Sequence, residues 1–300
     1  MTTASEVGLP PVSVIVATRD RPEMLAAVVG SILANRVRPD EVVVVDQSRE
    51  PDPAMAADAR VHYVHTSEVG LSRANNLGAS VASHDLLLFT HDDVLVDPDW
   101  VAFLAGAWDR AGDRVVVTGR VAATAPEQAG GFAPALKDEA RPASYTGRVG
   151  FDVLKPMNMA MSRAALAEVG GFDPRLGPGT PFPGAEDADL GFRFLDAGYR
   201  VDYVPEAVVR HRAWRAPEDY LPLRWGYGLS HGAFYAKHLS LRDTHMARRM
   251  VRDVGRRMRA FPARVRHEGR RALGDPVFVA ATFVGAFRWR RAERRRGAAA

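Results

Sequence analysis

Two adjacent carboxylates stand where the sequence predicts the end of a buried strand. Asp92 and Asp93 follow the apolar run 86–90, LLLFT, with only His91 between. Adjacent carboxylates repel each other, and a divalent cation such as Mg²⁺ or Mn²⁺ relieves that repulsion and can bridge to substrate phosphates. Asp is also common in the turns that end strands, so the pair alone leaves both interpretations open.

A second acidic pair, Glu186 and Asp187, follows the Pro/Gly segment 177–184, GPGTPFPG, at the start of a predicted helix. A carboxylate there can serve as a general base for an acceptor hydroxyl. Acids at a helix N-terminus also simply complement the macrodipole. His211 follows the strand-like segment AVVR and could complete an oxygen-rich metal site, although a lone histidine is more often structural.

Two further residues are candidates for reading a nucleobase. Asp46 ends the apolar run EVVVV, and Arg73 lies near the start of a predicted helix. A carboxylate accepts from an imide N–H, and a guanidinium stacks or hydrogen-bonds. Either residue could equally be a surface ion-pair partner.

Alternating strands and helices in the first third of the chain would position these side chains. The predicted strands are residues 12–17, 41–45, 61–64 and 86–90, and the predicted helices are residues 22–33 and 71–80. This alternation favours right-handed βαβ units and a mostly parallel sheet flanked by helices. Ligands bind at the carboxyl ends of such strands. Since Arg19, Asp46 and Asp92–Asp93 come just after predicted strands, we expect them to converge on one crevice.

The second half of the chain is less regular. The predicted strands there are residues 115–119, 158–162 and 199–204, and a helix is predicted from Glu186 to about Ala197. Residues 126–150 are predicted to form a loop. From about residue 221 onward the composition becomes helical and basic.

Composition excludes several classes of protein. The chain has 300 residues, of which 47% are hydrophobic and 25% charged, as expected for a globular protein with a sizeable core. It has no cysteine, which excludes disulfides, thiolate zinc sites and cysteine nucleophiles and fits a reducing compartment. The first residues show no secretory signal, and no apolar run reaches the roughly 20 residues that span a bilayer. We therefore expect a cytoplasmic protein.

Five segments, in this order and at compatible spacings, together resemble the family 2 glycosyltransferases with the GT-A fold. They are VSVIVATRDRPEMLAAVVGSIL, EVVVVDQS, GLSRANNLGAS, LLLFTHDDVLVDPDW and GAEDADLGFRFLDAGYRVDYVPEAVVRH. The resemblance spans roughly residues 10–214. It implies an α/β fold with a GT-A catalytic domain over residues 1–220, in which about 10–100 bind the donor and about 101–220 bind the acceptor and carry the catalytic acids. A basic helical extension over residues 221–300 would follow.

The resemblance also implies roles for matching residues. Asp187, in the ED pair with Glu186, would be the catalytic base. The metal, Mg²⁺ or Mn²⁺, would be held by Asp93 and His211 and would bridge the diphosphate. Residues implied to bind the donor are Thr18, Arg19 and Asp46 in the nucleobase pocket, Arg73 on the base, Asp92 near the ribose or metal, and Asn158 near the donor sugar.

The chain departs from the family pattern at three of these positions. His91 stands where many members have the first acid of an Asp triplet, which leaves its role as a ligand open and puts metal affinity in doubt. Arg19 stands where tyrosine is frequent, so any stacking on the base would be by a guanidinium. Gln47 replaces the second acid that often follows Asp46, which matters little if Asp46 makes the base contact.

The implied reaction is inverting transfer of a sugar from a nucleoside-diphosphate sugar to a hydroxyl of a glycan or lipid-linked glycan, assisted by a metal. Residues 126–150 and the neighbourhood of Trp214 and Arg215 are candidates for contacting the acceptor. Two alternatives remain. One is a sugar-nucleotide-binding protein without turnover, and the other is a nucleic-acid-binding protein acting through the arginine-rich tail. The tail has no recognisable nucleic-acid motif.

The tail is strongly basic. Residues 242–300 contain 17 arginines and 5 acidic residues, a net +12, which leaves −8 for residues 1–241 of a chain whose net charge is +4. Apolar residues at helical spacing form one stripe among these arginines, as in a basic interfacial helix. The stripe is Met246, Met250, Val254, Met258 and Phe261, and a second set near the headgroup boundary would be Phe278, Phe283, Phe287 and Trp289. We expect attachment to the inner face of a membrane; the alternative is that the stripe packs on the catalytic core.

Overall fold

A computed structural model describes residues 2–126, 130–212 and 214–297. The strands are β1 (Thr2–Thr3), β2 (Val12–Thr18), β3 (Val37–Arg38), β4 (Glu41–Asp46), β5 (His62–His65), β6 (Leu86–His91), β7 (Val94–Val96), β8 (Val115–Ala123), β9 (Ala143–Tyr145), β10 (Met159–Ser162) and β11 (Arg200–His211). The helices are α1 (Pro22–Leu33), α2 (Pro53–Ala56), α3 (Leu71–Val81), α4 (Trp100–Ala111), α5 (Arg163–Glu168), α6 (Glu186–Asp196), α7 (Tyr220–His238), α8 (His245–Glu268) and α9 (Gly274–Gly297).

The main sheet has the order β5-β4-β2-β6-β10-β8-β11-β7, and β9 pairs with β11. Its first four strands are all parallel, as the βαβ pattern predicts. Beyond β6 the sheet is mixed, because β10 runs antiparallel to both neighbours while β8 and β11 pair in parallel. The parallel part holds β2, β4 and β6, whose carboxyl ends meet at one edge.

Helices cover both faces of this sheet. On one face, α1 buries Leu25, Val28 and Ile32 against the apolar side chains of β2 and β4. On the other face, α3 approaches β2 through Gly78, where an added Cβ would lie only 2.5 Å from Ile15. This close contact explains why glycine is accommodated inside a helix despite its cost in conformational entropy.

The basic tail packs on the preceding part of the chain. Helices α7 and α9 touch backbone to backbone, because an added Cβ at Gly232 would lie 2.0 Å from the Thr282 carbonyl oxygen. Helix α7 in turn packs on α6, where the rings of Phe192 and Phe234 lie 6.1 Å apart. The boundary predicted after residue 220 therefore falls within one packed body.

The aromatic and methionine residues predicted to face a membrane divide into two groups. Phe278 and Trp289 are buried within the protein, as is Met246 at the start of α8. For this part of the stripe, the alternative of packing on the core is the one observed. Phe283 and Phe287 are 55% and 67% exposed. Within the described residues, no helix is long and apolar enough to cross a membrane.

Candidate active site

A cleft of about 300 Å³ lies at the carboxyl ends of β2 and β6. Its walls come from segments far apart in the chain, as expected for a site at the edge of a parallel sheet. The charged and polar side chains that line it are Thr18, Arg19, Arg21, Gln47, His91, Asp92, Asp93 and Arg215. Pro178 and Gly179 of the loop before α6 complete the wall. The structure thus brings Arg19 and the acidic pair together with Thr18, whereas Asp46, which was expected in the same crevice, lines a neighbouring cavity.

Asp92 and Asp93 share one cation, Arg21, whose Nη1 lies 3.1 Å from Asp92 Oδ1 and 3.4 Å from Asp93 Oδ2. Asp92 also accepts a hydrogen bond from Thr18 Oγ1 at 2.9 Å. Burial and the neighbouring charge of Asp93 raise the pKa of Asp92. Burial also acts to raise the pKa of Asp93, but His211 and Arg21 outweigh it, and that pKa lies well below its usual range.

His211 reaches Asp93 because β11 pairs antiparallel with β7, which places His211 opposite Val94. Its Nε2 lies 3.6 Å from Asp93 Oδ1, and its Nδ1 lies 3.1 Å from the carbonyl oxygen of Pro134. Since a carbonyl only accepts, Nδ1 donates to Pro134, and Nε2 is the ring nitrogen that faces Asp93.

The donor set suits a hard divalent cation. Asp93 Oδ1 and His91 Nε2 are buried atoms without a hydrogen-bond partner in the described structure. Burial lowers the pKa of His91 to about 4, so its ring is neutral near pH 7 and able to ligate. Within the described residues, no group of three or more His, Cys, Asp or Glu side chains is placed so that it could hold a metal ion by itself. Phosphate oxygens of a substrate would have to supply the remaining ligands, as is common for Mg²⁺.

The other predicted base-binding residues lie beside the cleft. Asp46 is buried, and its Oδ2 accepts from the hydroxyl of Tyr63 at 2.6 Å while its Oδ1 accepts from the Ser48 N–H at 2.8 Å. It lines a neighbouring cavity, shared with Thr18 and Arg21. Arg73 also lies outside the cleft, and its Nη1 donates to the Val69 carbonyl oxygen at 3.1 Å.

The structure corrects the predicted role of Asn158. This residue is fully buried, and its amide oxygen accepts from Trp100 Nε1 at 2.9 Å. Its amide nitrogen donates to the carbonyl oxygens of Arg120 and Ala207, both at 2.8 Å. Both ends of the amide are therefore engaged in joining α4, β8 and β11, which leaves the side chain no group for a donor sugar.

Glu186 and Asp187 begin α6, after Ala185 in the left-handed conformation (φ 64°). Glu186 is 4% exposed and lies under the loop, since an added Cβ on Gly177 would lie 3.3 Å from its Oε2. Burial and the charge of Asp187 raise the pKa of Glu186 to about 8. Asp187 is partly exposed, and burial and the charge of Asp152 raise its pKa. The two acids thus occupy different surroundings.

Two segments predicted to contact the acceptor meet beside the cleft. Phe132 and Arg215 exchange backbone hydrogen bonds of 3.0 and 2.9 Å, and Arg215 lines the cleft. Phe132 also packs edge-on against Tyr220 at 5.3 Å. Residues 127–129, part of the predicted 126–150 loop, lie outside the described residues.

Comparison with known proteins decides the family. Residues 13–168, just over half of the chain, match the family described as Glycosyl transferase family 2. The chain belongs to glycosyltransferase family 2. It is 29% identical over 237 residues to a glucosyl-dolichyl phosphate glucuronosyltransferase of Haloferax volcanii, covering 71% of this chain and 73% of the relative.

Two further similarities are more distant. A pre-mycofactocin glycosyltransferase of Mycobacterium tuberculosis is 25% identical over 235 residues, which cover 76% of this chain and about half (48%) of that relative. The mannosyltransferase PcManGT of Pyrobaculum calidifontis, solved in complex with GDP-Man and Mn²⁺, superposes with a TM-score of 0.61 at 16% identity, over 93% of this chain and 87% of that one. The structural likeness confirms the predicted α/β GT-A fold, including its helical C-terminal region.

The sequence analysis did not predict every residue that the structure places at or near the site. Arg21 was missed, although its position between the end of β2 and Pro22 at the start of α1 puts it at the strand edge where ligands bind. His231 and Asp152 were also missed. They are 79 residues apart and meet only through tertiary packing, so no sequence spacing marks them.

Proposed function

We propose that this glycosyltransferase transfers a sugar, of hexosyl or deoxyhexosyl type, from a nucleoside-diphosphate sugar to an acceptor hydroxyl with inversion. One observation carries the proposal: Asp92 and Asp93 line the same cleft as Thr18 and Arg19, with the ring of His211 directed at Asp93. A donor nucleotide needs both a pocket for its base and charges for its diphosphate, and this cleft offers both.

Cationic side chains would hold the diphosphate. Arg21 and Arg215, which lie far apart in the sequence, both line the cleft. A guanidinium binds phosphate oxygens in a fixed fork geometry. In the resting site Arg21 neutralises Asp92 and Asp93, and it is free to turn toward phosphate once a cation takes those carboxylates.

Mg²⁺ or Mn²⁺ would be held by Asp93 and His211. The buried Asp93 Oδ1, which has no hydrogen-bond partner, and the His211 ring, which is oriented by its hydrogen bond to Pro134, support this assignment, as does the Mn²⁺ in the PcManGT complex. When bound, the cation would supply positive charge where the departing nucleoside diphosphate becomes more negative. The Asp93 carboxylate is already ionised without it, because its pKa lies well below its usual range.

Asp187 would act as the general base. A raised pKa brings this carboxylate closer to neutral pH, which makes it a stronger base than an exposed aspartate. It would take the proton of the acceptor hydroxyl while that oxygen attacks the anomeric carbon from the face opposite the diphosphate, so that one displacement inverts the configuration. The loop that supplies Pro178 and Gly179 to the cleft leads directly into α6 and so connects the donor site to the base.

The acceptor would be a glycan or lipid-linked glycan. The name of the Haloferax volcanii relative refers to a glucosyl-dolichyl phosphate, which supports a lipid-linked sugar as acceptor for this chain too. The paired backbone of Phe132 and Arg215, next to the cleft, is a suitable edge for such an acceptor to contact.

A thermal-shift screen tests the proposal against its two alternatives. We expect one of UDP, dTDP or GDP, with Mn²⁺, to raise the Tm, since a ligand at 100 times its Kd stabilises by about 2.7 kcal/mol. The matching sugar donor should then release its nucleoside diphosphate slowly by hydrolysis. Stabilisation without any release would favour a binding protein without turnover, and salt-sensitive DNA binding without nucleotide stabilisation would favour a nucleic-acid-binding protein.

We also propose that the protein binds peripherally to the inner face of a membrane. Phe283 and Phe287 are exposed on α9, and Arg290 of the same helix donates to the carbonyl oxygen of Leu239 at 3.1 Å. That bond joins α9 to the loop between α7 and α8, which also carries the fully exposed Leu241. We call this surface the apolar–basic edge, comprising Leu239, Leu241, Phe283, Phe287, Arg288, Arg290 and Arg291.

A further inference from the structure

The side chain of His231, on α7, is held at both ring nitrogens. Its Nδ1 lies 2.9 Å from the Tyr227 carbonyl oxygen, and its Nε2 lies 3.1 Å from Asp152 Oδ2. Because a carbonyl oxygen only accepts, Nδ1 carries a proton, and a carboxylate facing Nε2 favours a second one. The ring is therefore a cation, and it is only 19% exposed.

The same carboxylate is held from the tail. Arg249 of α8, which is 5% exposed, donates to Asp152 Oδ1. Two cations thus share one carboxylate, so that the group formed by His231, Asp152 and Arg249 carries a net positive charge.

Close packing places this group next to the first turn of α6. Gly184, which precedes α6, packs on the α7 residue Tyr227, since an added Cβ would lie 3.6 Å from the Tyr227 ring. Further along α6, an added Cβ on Gly191 would lie 3.1 Å from Val153, the residue after Asp152. The residues that precede and follow Asp187 in the chain therefore contact the two segments that hold His231 and Asp152.

We propose that His231 is a positioning residue for the base: fixed as a cation by Asp152, it keeps Asp187 ionised at neutral pH although Asp187 lies beside Glu186 in a half-buried place. The proposal rests on the assignment of Asp187 as the base. It gives the basic tail a part in the reaction, because Arg249 of α8 holds the carboxylate that fixes the cation.

The charge of His231 favours the ionised form of Asp187 and opposes two larger effects, which are burial and the charge of Asp152. Burial and the charge of Asp152 raise the pKa of Asp187, while the charges of Lys155 and His231 lower it. Burial alone would lower the pKa of His231, but the hydrogen bond and charge of Asp152 outweigh it, and the pKa of His231 is raised. Other titratable or charged groups that face the pair are Glu186 on α6, Tyr227 and Tyr235 on α7, and Arg249 and Asp253 on α8.

The test compares pH profiles of kcat for nucleoside-diphosphate release by the full chain. His231→Gln removes the cation and leaves Asp152 paired with Arg249, so the pKa of Asp187 should rise. We expect the acid limb of the kcat profile to move up by about one pH unit. On the acid side kcat should fall roughly tenfold, and on the alkaline plateau kcat should change by no more than about threefold. His238→Gln is the matched control, because His238 lies on the same helix and also pairs with a buried carboxylate, Asp189, at 2.7 Å.

A second variant separates charge from packing. His231→Lys keeps a cation and should retain the wild-type acid limb, even if both His231 variants lower the Tm. Three results would overturn the inference. The first is a loss of kcat in His231→Gln that is equal at every pH. The others are an acid limb that moves in His231→Lys as far as in His231→Gln, or one that moves equally in His238→Gln. Turnover retained in Asp187→Asn would instead overturn the assignment of the base, which is a separate result.

Discussion

His211 Nε2 lies 3.6 Å from Asp93 Oδ1, although the two residues are 118 positions apart in the chain. The antiparallel pairing of β11 with β7 produces this approach, and the Arg212 N–H donates to the Asp93 carbonyl oxygen at 2.8 Å. The hydrogen bond from His211 Nδ1 to Pro134 then fixes the ring orientation, as outer-shell contacts do for metal-ligating histidines.

From this relationship we expect donor turnover to depend on Mg²⁺ or Mn²⁺. Asp93→Ala removes a charged oxygen ligand and should lower turnover by about 10²–10³-fold, the scale of losing one group that stabilises developing charge. His91→Ala should cost less, because a neutral ring contributes no charge. Nucleoside-diphosphate release against added Mn²⁺, together with Mn²⁺ binding followed by electron paramagnetic resonance, measures both effects. Full turnover by metal-free protein in excess chelator would contradict the prediction.

Asp187→Asn should abolish transfer and leave donor binding nearly unchanged. The amide keeps the shape of the side chain but cannot take a proton, and loss of a positioned base typically costs about 10²–10⁴-fold. Steady-state turnover measures the loss of transfer, and the nucleotide-induced shift in Tm measures donor binding. Asp109→Asn, on the exposed surface of α4, is the control. If the Asp187 variant turned over within about threefold of wild type, another group would have to be the base.

Glu186→Gln should change the dependence of stability on pH. The folded protein holds a proton on Glu186 up to about pH 8, whereas an unfolded chain releases it near its ordinary pKa of 4.5. Stability must therefore fall as the pH rises between these values, and the neutral amide removes that fall. We expect Glu186→Gln to gain roughly 1–3 kcal/mol over wild type between pH 5 and pH 8, since one pKa unit corresponds to about 1.4 kcal/mol. Thermal unfolding across this range measures the gain; Glu23→Gln, at an exposed position on α1, should show none.

In the first third of the chain, the bounds of the longer strands and helices were predictable almost to the residue, whereas the short elements β1, β3, α2 and β7 were not predicted. Strand 12–17 is observed as Val12–Thr18, and helix 22–33 is observed with the same bounds. These strands are buried on both faces, so their continuous β-branched runs differ sharply from the helical spacing between them. The strand predicted at 199–204 is instead Arg200–His211, because an irregularity between Val204 and Val208 lets it continue past Pro205.

The position of a site residue was predictable from the sequence only where the end of a strand is enough to place its side chain in the cleft. Asp92 and Asp93 follow β6 and so reach the cleft in any parallel sheet of this kind. The Arg73 guanidinium instead donates to Val69, four residues earlier, and Asn158 is held inside the protein by contacts with α4, β8 and β11. Spacing within one segment carries no information about those contacts. The same limit hid His231, whose partner lies in another segment.

The C-terminal tail is a second case in which the sequence does not reveal contacts between segments. Helical spacing marks both faces of an amphipathic helix but does not say whether the apolar face meets protein or lipid. Met246, Phe278 and Trp289 meet protein, which predicts that a chain ending near Tyr235 would lose part of the two smaller hydrophobic clusters and expose the face of α7 that they cover. Point variants on the exposed face are therefore the better test of membrane binding.

We expect the full chain to sediment with vesicles of phosphatidylglycerol and phosphatidylcholine, and less so at high salt. Each arginine near an anionic surface contributes about 1 kcal/mol, and this part is screened by salt. The double variant Phe283→Ser and Phe287→Ser removes the exposed aromatic pair of the apolar–basic edge. Even partial burial of two Phe rings at about 1.5–3 kcal/mol each predicts at least a tenfold loss of binding. Phe103→Ser, at a 38% exposed position on α4, controls for the loss of surface Phe and should bind as wild type does. Equal sedimentation of the double variant and wild type would mean that the aromatic pair of the apolar–basic edge faces solvent. Binding that salt does not weaken would mean that the arginines of this edge are solvated and do not contact the vesicle.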